Sequence, residues 1–326
     1  MQEGITLFYP RKFLLTFDVE DFINPNAISA LRFTLKILSK YKLKAIFFIT
    51  GYMAEKISNF PEIIDLLKKH EIGYHSTSHS VHPIIPEYTD VKNYKKAYEI
   101  SLKRETSHIN PLTGKIENEG GIYLLQDLFH PQKIEAFRAP GTCWTPPHLE
   151  ALNSLGIKYD FSSNLTFSET VSWKGITFYP YTFIQQWYGK LHDYECLLTS
   201  ILKNKITVFD LHPTLLVNRS MWDEIYFKGN PRFLSKAQPR PPKEVEHLFR
   251  EFEKLIKRIN VLRKMKLIDT EPKLEPSSKK LSINAEKIEK CYEASMSWSK
   301  TFFNYNPKYI RNHFYEFFDE KPLTTS

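Results

Sequence analysis

The chain has few cysteines and no long apolar run. Its three cysteines, Cys143, Cys196 and Cys291, are odd in number and widely spaced. That pattern gives no disulfide framework and suits a reducing compartment. No stretch reaches the length that a membrane span needs, and Met1 to Pro10 lacks the apolar core of a secretory leader. The expectation is a cytoplasmic protein with no membrane partner. Zinc-finger spacing and RNA-binding signatures are missing too. The net charge is +8, but Lys and Arg alternate with Glu along helices. Glu246–Arg250 and Glu253–Lys257 are i, i+4 pairs on a solvated face. No nucleic-acid partner is expected.

What is present is a long, aromatic-rich α/β pattern. A chain of 326 residues with 24 Phe and 18 Tyr can fill a large core. Lys12–Asp18 and Lys44–Thr50 read as strands, the second apolar throughout and so buried on both faces. Further strands are expected at Ile72–His75, Ile134–Arg138, Ile157–Asp160, Ile176–Tyr179, Ile206–Leu211 and Lys266–Thr270. Helical stripes lie between them, as at Ala27–Tyr41 and Lys243–Lys264. Asn110–Gly121 reads as a loop, and Gly229–Pro242 as a Pro-rich one. Strands alternating with helices predict a parallel sheet, open or closed as a barrel. Glu271–Lys280 is polar with two prolines, so a linker. Residues 281–326 read as a helical extension that covers the barrel or a homo-oligomer surface. The expected division is 1–270, 271–280 and 281–326.

Three carboxylates, Asp18, Glu20 and Asp21, crowd the end of the first strand. That is a poor place to hide charge and a good one to hold a metal and a base. His75 and His79 follow another apolar run. Two imidazoles and a carboxylate are a common shell for a catalytic divalent metal. Next come Phe137-Arg138-Ala139-Pro140-Gly141, Asp160-Phe161-Ser162-Ser163-Asn164 and Asp210-Leu211-His212-Pro213. Asp18, His75, Arg138, Asp160 and His212 all fall at or just past predicted strand ends, where parallel barrels keep their chemistry.

The order and spacing of these motifs resemble the polysaccharide deacetylase family, carbohydrate esterase family 4, over roughly residues 10 to 270. The likeness is nearest its peptidoglycan-deacetylase-like and allantoinase-like branch. It implies a distorted (β/α) barrel of about seven parallel strands and a metal-dependent hydrolase of non-peptide carbon–nitrogen bonds. Asp18 would be the general base. Glu20, His75 and His79 would hold the metal, with Asp21 the competing ligand. Val19 occupies the place where the family usually has an aspartate. Arg138 would orient Asp18, and Gly141 N–H would face the oxyanion. Asp160 would support Arg138 or the groove wall, and His212 would be the general acid. The ligand set suits Zn²⁺, with Co, Ni or Mn as alternatives. The expected substrate is an N-acetylated sugar. Asp210 stands where relatives carry an apolar residue, which raises the alternative of a small amide, imide or ureide. A third reading is a catalytically silent carbohydrate-binding barrel.

Overall fold

The apolar run after Pro10 forms the central strand β1, Arg11–Val19, whose residues from Phe13 onward are buried. A computed structural model describes residues 10–109, 116–180, 183–184, 191–223 and 236–321. Parts of the predicted loops at 110–121 and 229–242 lie outside the described residues, as do residues 1–9 and the Cys196 side chain. On one side β1 pairs in parallel with β2, Ile46–Ile49. β3 (Glu71–Tyr74), β6 (Ala136–Phe137), β7 (Tyr159–Asp160) and β9 (Ile176–Phe178) continue that parallel order. The antiparallel strand β8, Val171–Trp173, ends it. On its other side β1 pairs in parallel with β11 (Ile206–Leu211), which pairs with β10 (Phe183–Ile184). β12, Ile268–Asp269, pairs with the start of β1.

The late strand β11 thus lies beside the first, and the sheet curls as a distorted (β/α) barrel. Among the described residues the seam stays open between β8 and β10. From β1 to β7 the strand order follows the chain order with helices in the crossovers, whereas β7 reaches β9 through the antiparallel strand β8. Helix α1, Ala27–Tyr41, buries Leu31, Leu35 and Leu38, the stripe its 3.6-residue period predicts. Pro61 does not kink one helix but separates two. It opens α3, Pro61–Leu67, behind α2, Gly51–Ile57. Gly51 is required by packing, since a Cβ there would stand 2.7 Å from the Cα of Gly121.

Two short helices complete the first half, α4 (Ile85–Thr89) and α5 (Tyr94–Glu105). The expected loop at Asn110–Gly121 contains a strand, β5 (Ile116–Glu119), which pairs with β4 (Ser107–Ile109) just before the loop. Helices α6 (Gly121–Phe129), α7 (Pro146–Ser154), α8 (Leu191–Lys203) and α9 (Pro242–Lys264) follow. Beyond β12, Glu271–Lys280 is tied to the sheet. Glu275 N–H donates to Tyr179 Oη at 3.2 Å, Ser277 N–H to Thr177 Oγ1 at 3.1 Å, and Ser172 N–H to Lys279 O at 2.8 Å. Helix α10, Ala285–Phe303, and helix α11, Ile310–Phe317, then pack on the barrel. Trp144 meets Phe314 at a centroid distance of 4.9 Å. No helix among the described residues is long and apolar enough to cross a membrane.

Candidate metal and catalytic site

Strand alternation sets the first half of the site. Asp18 and Glu20 are two residues apart on extended chain, so they share a side, while Val19 between them joins the apolar core. Asp21 turns elsewhere. Its carboxylate accepts Asn24 N–H at 2.9 Å, the Asn24 side-chain amide and the Thr214 hydroxyl. It therefore ties the β1–α1 connection to the turn at Pro213–Leu216. Burial raises its pKa against the bonds from Thr214 and Asn24.

Glu20 faces both imidazoles. Its Oε2 lies 3.1 Å from His75 Nε2 and 2.8 Å from His79 Nε2, and all three side chains are buried. His75 Nδ1 lies 2.7 Å from Arg138 O. A carbonyl can only accept, so Nδ1 carries the proton and neutral His75 aims a lone pair at Glu20. His79 Nδ1 is 3.1 Å from Ser80 Oγ and 3.5 Å from an oxygen of Asp223. A ring lone pair set against a carboxylate oxygen is repulsive unless a cation lies between them. Glu20 Oε1 is buried with no hydrogen-bond partner among the described residues. Without a cation the imidazoles take up protons instead: burial would raise the Glu20 pKa, but the His79 charge and the bonds donated by both rings hold it well below the usual range. Burial opposes protonation of His75, yet Asp18 and Glu20 raise its pKa. The donor set fits a divalent metal: two imidazoles, one carboxylate, and an oxygen in want of a partner.

The second half is built on Arg138, one residue past β6. Its Nη1 donates to Asp18 Oδ1 at 2.8 Å and to Asp210 Oδ1 at 2.5 Å, and its Nη2 donates to Thr16 Oγ1 at 2.9 Å. The Phe48 ring lies under the guanidinium, 4.4 Å from its carbon. Asp18 Oδ2 remains 3.7 Å from His75 Nε2 and 3.6 Å from His212 Nε2. Asp18, Asp210 and His212 also cluster closely enough to bind a cation. Both of those carboxylates already share one guanidinium, so the Glu20 set has the stronger claim. Burial pushes the Asp210 carboxyl up to about 6; Asp18 adds to the rise and Arg138 opposes it.

Asp160 does not reach Arg138. Its Oδ2 accepts Ser162 N–H at 3.2 Å and Ser163 N–H at 3.0 Å, because a short acid followed by a turn captures its own downstream amides. Ser162 Oγ in turn accepts Ala139 N–H at 2.7 Å, so Asp160 supports the segment that carries Gly141. Burial raises the Asp160 pKa to about 6 despite those bonds. Gly141 sits in the turn at Pro140–Thr142 with φ +55°. His82 is turned away, paired with Glu87 at 2.7 Å.

The motif reading did not include Thr16, Asp223, or the pairing of Asp210 with Arg138. It also passed over Glu105, which accepts the Thr77 N–H at 3.1 Å inside the His75–His79 turn. Only Asp210 carried a local signal, as a charge in an otherwise apolar strand.

Residues 9–159 match the sequence profile of a family described as polysaccharide deacetylase. That span holds Asp18, Glu20, His75, His79, Arg138 and Gly141, while Asp160 and His212 lie beyond it. No curated protein matches the sequence. Solved structures with similarity include a Mycobacterium smegmatis protein described as a polysaccharide deacetylase, at 15% identity and TM-score 0.44, covering 84% of this chain and 97% of that one. A family 4 carbohydrate esterase from Streptomyces lividans is 11% identical with TM-score 0.42, covering 83% and 97%. A family 4 pseudoenzyme from Bacillus anthracis is 16% identical with TM-score 0.35, covering 63% and 56%. These TM-scores are low, and the family assignment rests on the sequence match.

Proposed function

We propose that this chain, which belongs to the polysaccharide deacetylase family, removes the acetyl group from an N-acetylated sugar with a divalent metal at Glu20, His75 and His79. The observation that carries the proposal is the division of Asp18. One of its oxygens is held by Arg138, and the other faces His75 and His212. A carboxylate oriented in that way is placed to take a proton from a water beside the metal ligands. Asp18 is the general base in this reading. Arg138 aims it and is itself held by Asp210 and Thr16.

Glu20, His75 and His79 would hold the ion, and Zn²⁺ suits two nitrogens and one oxygen best. A bound divalent cation supplies Lewis-acid polarisation and a more acidic water. The water oxygen attacks the acetamide carbon as Asp18 takes its proton. Gly141 N–H faces the oxygen that becomes negative. His212 gives a proton to the nitrogen as the carbon–nitrogen bond breaks. Acetate and an amino sugar leave. Asp160 acts on Gly141 through Ser162 and Ala139.

A second reading keeps these residues and takes a small cytosolic amide, imide or ureide. Asp210 favours it, because its buried carboxylate stands where relatives seal an acetyl pocket with an apolar side chain.

Acetate release from tetra-N-acetylchitotetraose, beside turnover of hydantoin, separates the two, with metal content measured on the same preparation. The expected result is acetate release that a chelator abolishes and zinc restores. Hydantoin turnover without acetate release selects the second reading. Binding of the tetramer without turnover of either compound selects a silent barrel.

A further inference from the structure

The two imidazoles beside Glu20 are held by different devices. His75 has its Nδ1 on the backbone carbonyl of Arg138, an acceptor that no substitution removes. His79 has its Nδ1 3.1 Å from Ser80 Oγ, and Ser80 Oγ donates to Asp223 Oδ2 at 3.4 Å. A hydroxyl has one proton. Given to the carboxylate, it leaves the Ser80 oxygen as an acceptor, so His79 Nδ1 carries the ring proton. Nε2 then keeps its lone pair toward Glu20 Oε2, 2.8 Å away. Asp223 Oδ2 also lies 3.5 Å from Nδ1, so its charge acts on the ring directly as well.

Asp223 lies outside the matched residues 9–159 and stands in no motif. Its neighbour Trp222 puts it there. That indole is buried, clusters with Tyr52 and Val81, and packs between the rings of Phe22 at 5.0 Å and His79 at 5.5 Å. With Trp222 anchored against His79, the next side chain falls at the Nδ1 edge of the same ring. Ser80 and Asp223 are both buried. A buried carboxylate is costly unless a partner answers its charge. An imidazole that donates from Nδ1 does so. In return the carboxylate makes Nε2 more basic, which strengthens its bond to a metal.

We infer that Asp223 is a positioning residue for the metal, acting on His79 through Ser80. It fixes the tautomer of that ligand and raises its donor strength, from the edge of the ring away from Glu20. The Arg138 carbonyl does the first of these for His75, with no charge to do the second. The role of Asp223 rests on the assignment of Glu20, His75 and His79 to the metal.

The test uses the full chain with zinc alone, titrated against a chromophoric chelator, and with cobalt as a spectroscopic probe. Asp223→Asn keeps the shape and removes the charge, so its zinc dissociation constant should rise about 10–100-fold. Ser80→Ala breaks the relay and should raise it too. The double variant should lose less than the product of the two single losses, because both act on one ring. Asp21→Asn is the structural control: that carboxylate is as deeply buried, at 2% exposure against 4% for Asp223. Its hydrogen bonds go to Asn24, Thr214 and Asn218 and to no imidazole, so zinc affinity should stay at the wild-type level. The visible bands of the cobalt-loaded protein should shift in Asp223→Asn and stay in place in Asp21→Asn. Wild-type zinc affinity in Asp223→Asn overturns the inference, and so does an equal loss in Asp21→Asn or a full product in the double variant. If Asp223→Asn fails to fold, Ser80→Ala decides, and wild-type affinity there overturns the relay. Wild-type protein that takes up no zinc, or keeps it fully in His75→Ala, overturns the metal assignment and the inference together. Zinc lost in His75→Ala but held normally in Asp223→Asn overturns the inference alone.

Discussion

Replacing Glu105 by glutamine should loosen the metal-ligand turn from behind. The Glu105 carboxylate is 2% exposed. It accepts Thr77 N–H at 3.1 Å, Thr77 Oγ1 at 3.0 Å, Tyr88 Oη at 3.2 Å and His148 Nε2 at 2.8 Å, along with the Tyr74 hydroxyl. Thr77 is the midpoint of the His75–His79 turn, and Tyr74 immediately precedes it. Ser76 and His79 both adopt left-handed φ, at 63° and 52°. Each such residue costs about 1 kcal/mol that surrounding contacts must offset. Without the anchor, the turn relaxes toward ordinary φ and the two imidazoles separate.

Removing one member of a buried charged network costs about 3–5 kcal/mol. Glutamine keeps the shape and one acceptor, so about 3 kcal/mol is expected. In a chain this long that lowers Tm by roughly 4 °C. Disturbing the groups behind a metal ligand weakens metal binding about 10–100-fold. Burial alone would raise the Glu105 pKa, but the bonds from His148, Tyr74 and Thr77 lower it. A lowered acid stabilises above its unfolded pKa, and that contribution is lost as pH falls through the folded value. The glutamine variant should therefore lose less stability than wild type between neutral and acid pH. Thermal melts and a zinc titration against a chromophoric chelator decide the matter. Wild-type zinc affinity in Glu105→Gln, even with a lowered Tm, would refute the link from this carboxylate to the ligand turn.

Glu20→Gln should lose zinc, with activity partly recovered at high zinc concentration, while Asp21→Asn should keep zinc and lose about 1–3 kcal/mol of stability from its hydrogen-bonded turn; metal analysis and melts on both would contradict this if Asp21→Asn alone lost metal. Asp18→Asn should retain zinc while turnover of the tetramer falls roughly 10²–10⁴-fold, and a loss of zinc instead would make Asp18 a ligand. Asp160 has a pKa raised from 3.8 to about 6, so the stability it contributes is complete below pH 4 and lost as pH rises through 6. Asp160→Asn should gain on wild type by up to about 3 kcal/mol between pH 4 and pH 7, and parallel stability curves would exclude that ionisation. A chain truncated after Lys280 should be insoluble or inactive, because it bares Gly141 and strips Phe314 and Phe317 from Trp144; a soluble truncated protein with wild-type turnover would show that the extension is dispensable.

Much of the fold could be read from period and punctuation. The stripe at Ala27–Tyr41 and the run at Lys44–Thr50 need only a helix and a doubly buried strand, and both are there. Strand ends then place Asp18, His75, Arg138 and His212 around one rim. The rest depends on pairings that local sequence does not encode. Asp210 meets Arg138 because β11 pairs with β1 in the register that sets Thr16 beside Asp210. Glu105 reaches the ligand turn from a helix packed behind it and stands in no motif. Asp160 could have been read differently, since Asp-x-Ser-Ser offers backbone amides closer than any distant arginine. Glu271–Lys280 has the composition of a linker. Yet its amides find Tyr179 and Thr177, and composition reports solvation rather than specific hydrogen bonds.

The site's charge balance explains why one arginine cannot do all the work. Asp18, Glu20 and Asp210 bring three buried carboxylates, and Arg138 brings one positive charge among them. Its guanidinium is committed to Asp18 and Asp210. Buried anions without compensation are expensive, and they are relieved by protonation or by a cation. Asp210 shows the first remedy, with its carboxyl raised to about 6. A cation between Glu20 and the imidazole nitrogens answers the remaining charge. It also answers the lone pair that the Arg138 carbonyl forces His75 to aim inward. Arg138 therefore serves both halves of the site: its side chain aims the base, and its backbone carbonyl sets the tautomer of a metal ligand.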